Sequence, residues 1–495
     1  MLTNQHLGVI TANARRFADK TAIICDQRRL SFAELDDRVG RLAKVLHDRG
    51  FGTKTIATLT GETGWEWVVA YHAVLRCGAI INPVNALLTA DEVDFIVGDC
   101  NAGLVIADGS RLRALEDCIS KYGLQTLCLD EVERLSASGE SLEPLPRDQT
   151  ELSTICYTSG TSGRPKGAML NHRSVVMNAA MTAVMHGRGG VDVIVSALPL
   201  AHVYGNVVMN SAIMVGATLC LLRSFDEDDV LDAIERHHAT CFDGVPTMYY
   251  RILATPRLAS TDLSSLRMCA VGGQTMPAEK MGEVEGVFGC PLIELWGMSE
   301  LGGLGTTFPW TGPKTIGSVG FPMPVMEVRT LDLDTGQVTA RGEAGELQVR
   351  GPLVMDGYLN NDDATRLAID GDGWLSTGDI AKLDDKGQIF ILDRRTDVIL
   401  TSGNNVYPAE LERVIAAHPS VDMVAVARSP HPTKGEVPHA YVVLKPDAGK
   451  VDHADAIIEH CRAFLAPYKI PRAVSFVDDL PKNSTGKIMR RALNR

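Results

Sequence analysis

A chain of 495 residues exceeds what one hydrophobic core usually supports, so two or more domains are expected. Its 45% hydrophobic and 22% charged residues are those of an ordinary soluble globular protein and exclude a chain dominated by disorder. With 48 basic against 61 acidic residues the formal charge is −13 and no basic stripe stands out, which argues against nucleic acid or an anionic membrane as the main partner and leaves any anionic ligand to local groups.

The opening segment, MLTNQHLGVITANARRF, lacks an apolar core long enough for a signal peptide. Eleven cysteines, an odd number without a C-x-x-C pair or metal-ligand spacing, fit buried reduced thiols and a cytoplasmic location better than a disulfide framework. The first informative element is the apolar run LSTIC, expected as a buried strand, followed by YTSGTSGRPKG over 157–167. Glycines let backbone approach an anion, hydroxyls and amides supply donors, and Lys166 adds a point charge, so the mixture points to polyphosphate. Pro165 stands where a Walker loop needs glycine before its lysine, which disfavours a P-loop. A flexible surface loop is the ordinary alternative.

Residues 207–222 are apolar but interrupted by Asn210, Ser211 and Gly216 and too short to span a bilayer, so a buried helix and then a strand are expected. Next come strand TLCLL, helix DEDDVLDAIERHH with Asp226 as N-cap and Val230, Leu231 and Ile234 on one face, and strand ATCFDGVP. Strand LRMCAV, a Gly-Gly turn, a helix opening at Pro277 and strand PLIELW continue the series. Such alternation predicts an α/β fold whose largely parallel sheet is covered on both faces, with ligands beyond the carboxyl ends of its strands. From about 317 to 392, short strands broken by DTG, GEAG, DGDG and DDKG predict a small antiparallel sheet or barrel. A hinge is expected at 393–396, closing an N-terminal domain of 1–392. Helix YPAELERVIAAH, strands VDMVAVA and HAYVVLKP, a helix near 451–465 and strand AVSFV then make a small α+β domain of 397–495.

Five further clusters carry residue types suited to reacting a nucleoside triphosphate with a carboxylic acid. WGMSE puts Ser299 and Glu300 just past a strand end, where a hydroxyl can reach phosphate and a carboxylate can hold Mg²⁺. STGD ends in Asp379, suited to a ribose diol; PLAHVYG carries His202; TSGNNVYPAELE offers Gly403; and PKNSTGKIMRR presents Lys487. Singly, each also fits an ordinary role: His202 as a structural histidine, Glu300 as a helix-start acid, Asp379 as a cap, Lys487 as a solvated lysine.

Taken in this order, the motifs resemble the adenylate-forming superfamily of acyl-CoA synthetases, nonribosomal adenylation domains and firefly-type luciferases, nearly end to end. The resemblance implies a large N-terminal domain of parallel α/β sheets plus a small β-barrel, followed by a small mobile α+β domain. It implies that Thr158, Ser159, Gly160, Thr161, Ser162, Gly163 and Lys166 clasp the ATP phosphates. Gly272, Gly273, Gln274 and Trp296 would border the adenine, with Gly297, Met298 and Ser299 also against the nucleotide. Asp379 and Arg394 would bind the ribose, Glu300 would ligate Mg²⁺, and Lys487 would serve adenylation. Gly403 would line the coenzyme A tunnel with His202 at its mouth. The implied activity is an ATP-dependent carboxylic acid:CoA ligase for an aliphatic or aryl acid; PLAHVYG lacks the aspartate that amino-acid-activating relatives carry nearby. A nucleotide sensor that has lost catalysis, a luciferase-like oxidation and delivery to a carrier protein are the alternatives. Thr396 stands where relatives carry Lys or Asp at the hinge.

Overall fold

The computed structural model describes residues 6–158, 164–401, 404–445, 448, 453–481 and 488–493. Two large sheets dominate it. In the nine-stranded sheet the order is Phe321–Pro322, Gly303–Thr307, Leu292–Met298, Met268–Val271, Cys241–Gly244, Val193–Ser196, Thr218–Leu221, Thr21–Cys25 and Arg28–Ser31. The strands from Leu292–Met298 to Thr21–Cys25 run parallel, and the outer ones are antiparallel. The seven-stranded sheet runs Gly357–Tyr358, Lys166–Asn171, Leu152–Thr158, Ile80–Val84, Ile56–Thr60, Leu104–Ala107 and Gln125–Cys128. It is parallel apart from its first two strands.

The helix Trp65–Arg76 is buried on nearly every side because it packs against strands of both sheets. One continuous core runs through all three layers, which is why this helix lacks a polar face. The expected helix after Leu222 is Glu227–His237: Asp226 accepts from the amides of Asp228 and Asp229, Val230, Leu231 and Ile234 face inward, and His238 ends it in a left-handed conformation. The helix Val203–Val215 is likewise buried and followed by Thr218–Leu221. Gly216 terminates it at φ +77°, where a Cβ would also strike the Phe17 ring.

Residues 317–392 form an open four-stranded antiparallel sheet, Glu327–Leu331, Gly345–Arg350, Leu375–Leu383 and Ile389–Arg394, and not a barrel among the described residues. Four strands are too few to close, since a filled barrel takes about eight. Two short strands from the same stretch, Phe321–Pro322 and Gly357–Tyr358, instead join the two large sheets. Past a single turn at Arg395–Asp397, the last stretch builds a mixed sheet on the order Asn404–Val406, Ile399–Thr401, Gly435–Leu444 and Val421–His431, with Ala473–Phe476 added to Gly435–Leu444. The helices Pro408–Ala416 and His453–Phe464 cover it, and its core of Ile399, Leu411, Ile415, Val426 and Ile457 is separate from that of the rest. All eleven cysteines are free and ten are buried. Among the described residues no helix is long and apolar enough to cross a membrane.

Candidate active site

The described strands on either side of the glycine-rich segment pair with each other. Leu152–Thr158 and Lys166–Asn171 pair antiparallel, with Thr158 opposite Lys166 at the open end. Ser159, Gly160, Thr161, Ser162 and Gly163 lie outside the described residues, as do Gly403 and Lys487. Gly167 is required by packing, because a Cβ there would lie 2.9 Å from Ile155 and 3.0 Å from the Tyr157 ring. Lys166 places its ammonium 5.0 Å over the Tyr358 ring. The Tyr358 hydroxyl donates to Glu300 Oε1 at 2.8 Å. Lys166, an expected phosphate-binding cation, and Glu300, the expected metal-binding acid, thus both contact Tyr358, one at its ring and the other at its hydroxyl. Sequence reasoning missed Tyr358, whose one signal is a lone aromatic in DGYLN just ahead of a helix.

Glu300 sits in the short turn Ser299–Leu301, directly after Leu292–Met298, and is only 7% exposed. The same strand carries Trp296, whose indole N–H donates to Asp379 Oδ2 at 2.9 Å. The other oxygen of Asp379 pairs with Arg394 Nε at 2.9 Å. Strand register causes this meeting, since Asp379 and Arg394 are directly opposed across Leu375–Leu383 and Ile389–Arg394. Asp379 is 2% exposed and its carboxylate is held by these two partners, while its backbone amide donates to the Thr377 hydroxyl at 3.1 Å. Two glycines make room: a Cβ at Gly297 would lie 2.1 Å from the Gly303 carbonyl, and one at Gly305 2.4 Å from the Trp296 ring. Gly272 is packed under Leu295 and Gly273 turns at φ +85°, which places the Gly272–Gln274 turn at the end of the neighbouring strand Met268–Val271.

His202 is the N-cap of Val203–Val215, its Nδ1 accepting from the Tyr204 amide at 3.3 Å, and its side chain is exposed. The structure therefore gives it a capping role, whatever else it does. Tyr204 reaches Asp243 Oδ1 at 3.3 Å, and Asp243 is gripped by Arg188 at 2.7 and 2.8 Å, with both ionic side chains fully buried. This network pins the His202 helix to the end of the strand Cys241–Gly244. Met209 and Met248, on and near these elements, are core residues.

Glu294 was also missed, although a lone acid inside LIELW is a usable signal. It is 3% exposed; Oε1 accepts from the Met276 amide at 3.4 Å and Oε2 has no partner among the described residues. Burial pushes it up from an ordinary 4.5 to about 8, with the Met276 amide pulling the other way. Between those values the folded chain holds a proton that the unfolded chain has released, so stability falls as pH rises through the window. Glu294→Gln, which keeps the acceptor and cannot ionise, should lose that slope. The check is Tm from pH 5 to pH 8: the variant gains on the wild type as pH rises, and a constant difference would refute the assignment.

A family model described as AMP-binding enzyme matches residues 10–359, and one described as AMP-binding enzyme C-terminal domain matches 410–487. The long-chain-fatty-acid–CoA ligase of Bacillus subtilis (strain 168) is 33% identical, over 98% of this chain and 93% of its own length. The indoleacetate–CoA ligase of Aromatoleum aromaticum is 33% identical, over 95% and 94%. Among solved structures, ATP-bound MatB from Rhodopseudomonas palustris superimposes with a TM-score of 0.93 at 32% identity, covering 99% of this chain and 98% of that one. The apo form of that protein gives 0.84 over the same coverage.

Proposed function

The chain belongs to the AMP-binding enzyme family, and from that membership we propose that it joins a carboxylic acid to coenzyme A in two steps driven by ATP. One observation carries the reading: a single strand, Leu292–Met298, brings Trp296 to the Asp379–Arg394 pair and runs into Glu300, which shares Tyr358 with Lys166. A nucleotide laid along that strand meets a ribose-binding acid at one end and phosphate-binding cations at the other.

In the first step a carboxylate oxygen attacks the α-phosphorus, the bond to the β-phosphate oxygen breaks and pyrophosphate leaves. Negative groups approach while charge builds on the bridging oxygen, so fixed cations in a water-poor site lower the barrier most. Lys487 is assigned that task, and Thr158, Ser159, Gly160, Thr161, Ser162, Gly163 and Lys166 hold the β and γ phosphates. In the second step the thiol sulfur attacks the acyl carbonyl, its proton passes to solvent, the acyl–oxygen bond breaks and AMP leaves.

Magnesium fits the donors present. Glu300 offers a hard oxygen, Tyr358 occupies Oε1 alone among the described residues, and no cluster of three His, Cys, Asp or Glu is found there, as suits an ion shared with substrate phosphates. When bound it supplies positive charge to the phosphate oxygens.

Adenine is assigned to Gly272, Gly273, Gln274 and Trp296, with Gly297, Met298 and Ser299 beside the phosphates. The domains are assigned as 1–392, a hinge at 393–396, and 397–495; a higher TM-score with the ATP-bound than with the apo form of one relative is in keeping with a hinged pair. Relatives acting on long-chain fatty acids and indoleacetate favour an aliphatic or aryl acid. Ten buried cysteines and no bridges suit the cytoplasm.

Turning at the hinge would replace Lys487 by the Gly403 face, with His202 at the tunnel mouth. Gly403→Leu should then leave acid-dependent pyrophosphate release intact and block thioester formation; an unchanged thioester yield would remove Gly403 from the tunnel. The reading as a whole is tested by pyrophosphate release across short, medium and long fatty acids, aryl acids and dicarboxylates. Release that requires the acid supports a ligase, and none with any acid favours a nucleotide sensor.

A further inference from the structure

Arg490 lies three residues beyond Lys487, and its guanidinium is spent on carboxylates of the hinge and of the first C-terminal helix. Nη1 bonds Asp393 Oδ1 at 2.6 Å and Asp397 Oδ2 at 3.2 Å, while Nε and Nη2 take Glu412 as a two-pronged pair at 2.8 and 2.6 Å. Asp393 and Asp397 stand on either side of Arg394, which holds Asp379. Asp393 is 5% exposed and fixed from both ends, its Oδ1 accepting from the Arg394 amide at 2.8 Å and its Oδ2 from the Ala409 amide at 2.7 Å. The tail around Arg490 is held by Met489 N–H to the Pro481 carbonyl at 2.8 Å and by the Tyr441 hydroxyl on the Leu493 carbonyl at 3.0 Å.

We propose that Arg490 is a positioning residue for the adenylation half-reaction, fastening the segment that carries Lys487 to the hinge through Asp393 and Asp397. Arg490 follows Lys487 by three residues, so the clamp fixes the chain immediately after that lysine. The clamp also explains how a hinge with Thr396 in place of a charged residue is tied to its domain: the charges come from neighbouring positions and from the far end of the chain. An arginine suits this place and a lysine does not, because only a planar fork serves Glu412 with two bonds and still reaches two aspartates. A chain of adjacent contacts then joins Trp296, Asp379, Arg394, Asp393 and Arg490, so the ribose site and the lysine-bearing segment share one anchor.

The proposal rests on the ligase reading, and the wild-type protein separates the two. Full-length protein is assayed with hexanoate, palmitate, benzoate and indoleacetate for pyrophosphate release, and with the matching synthetic acyl-adenylates and coenzyme A for thioester. A wild type inert in both assays counts against the ligase reading and not against Arg490. Given an active wild type, Arg490→Gln should lower kcat for pyrophosphate release roughly 10²-fold, the penalty of a misplaced catalytic group, with KM for ATP and the rate from supplied adenylate little changed. Arg490→Lys should fall between. Because Arg490→Gln leaves Asp393 buried without its cation, the double variant Asp393→Asn, Arg490→Gln is included. It should recover Tm and stay slow in pyrophosphate release, and it decides the matter together with Arg490→Lys if the single variant does not fold. Equal loss in both assays, undiminished pyrophosphate release, or release that recovers with Tm in the double variant overturns the proposal.

Discussion

Lys487→Ala is expected to cut acid-dependent pyrophosphate release by about 10²–10³-fold, the usual cost of removing one preorganised charge-stabilising donor, while thioester formation from a supplied acyl-adenylate keeps most of its rate. The split follows from where charge develops. In the first half a carboxylate approaches an anionic α-phosphate, and without a cation between them both the approach and the build-up on the bridging oxygen are opposed. In the second half the attacked carbon is already activated by the adenylate, and the lysine has no charge to neutralise there. Measuring both halves on the same preparation is the check; equal loss would take Lys487 out of its assigned role.

Glu300→Gln should have an effect of comparable size with a different signature. Glutamine retains an oxygen to accept the Tyr358 hydroxyl bond, so the fold around this nearly buried position is kept and only the charge is lost. Pyrophosphate release should drop by about 10²-fold at ordinary Mg²⁺ and recover partly as Mg²⁺ is raised, since a weakened site is refilled by mass action. Tyr358→Phe is the companion variant. It keeps the ring under the Lys166 ammonium and frees Glu300 Oε1, so its Mg²⁺ dependence should move far less. A Glu300→Gln protein with the wild-type Mg²⁺ curve would separate Glu300 from the metal.

The α/β layering was legible because its signals are local: Asp226 before an acidic first turn, Val230, Leu231 and Ile234 on one face, and apolar strands bounded by glycine. The antiparallel pair after LSTIC was not, since pairing of Leu152–Thr158 with Lys166–Asn171 depends on what the second strand meets, here the short strand Gly357–Tyr358 from two hundred residues away. Of the antiparallel sheet or barrel expected over 317–392, the open sheet is what forms, and Phe321–Pro322 and Gly357–Tyr358 pair outside their own segment. At the site, Glu300 and Asp379 stood out by residue type and motif, and Arg394 through the family resemblance alone. Tyr358, Asp393 and Arg490 did not, because each acts through a partner far off in the chain, and a sequence gives no distance between Arg490 and Asp393.

In this mechanism the carboxylate itself attacks the α-phosphorus. Supplying acid labelled with ¹⁸O in both carboxyl oxygens, together with ATP and coenzyme A, tests it at the bond. One label should appear in the phosphate of AMP for each thioester formed and the other should stay in the acyl group. AMP without label, or label recovered in inorganic phosphate alongside ADP, would contradict it.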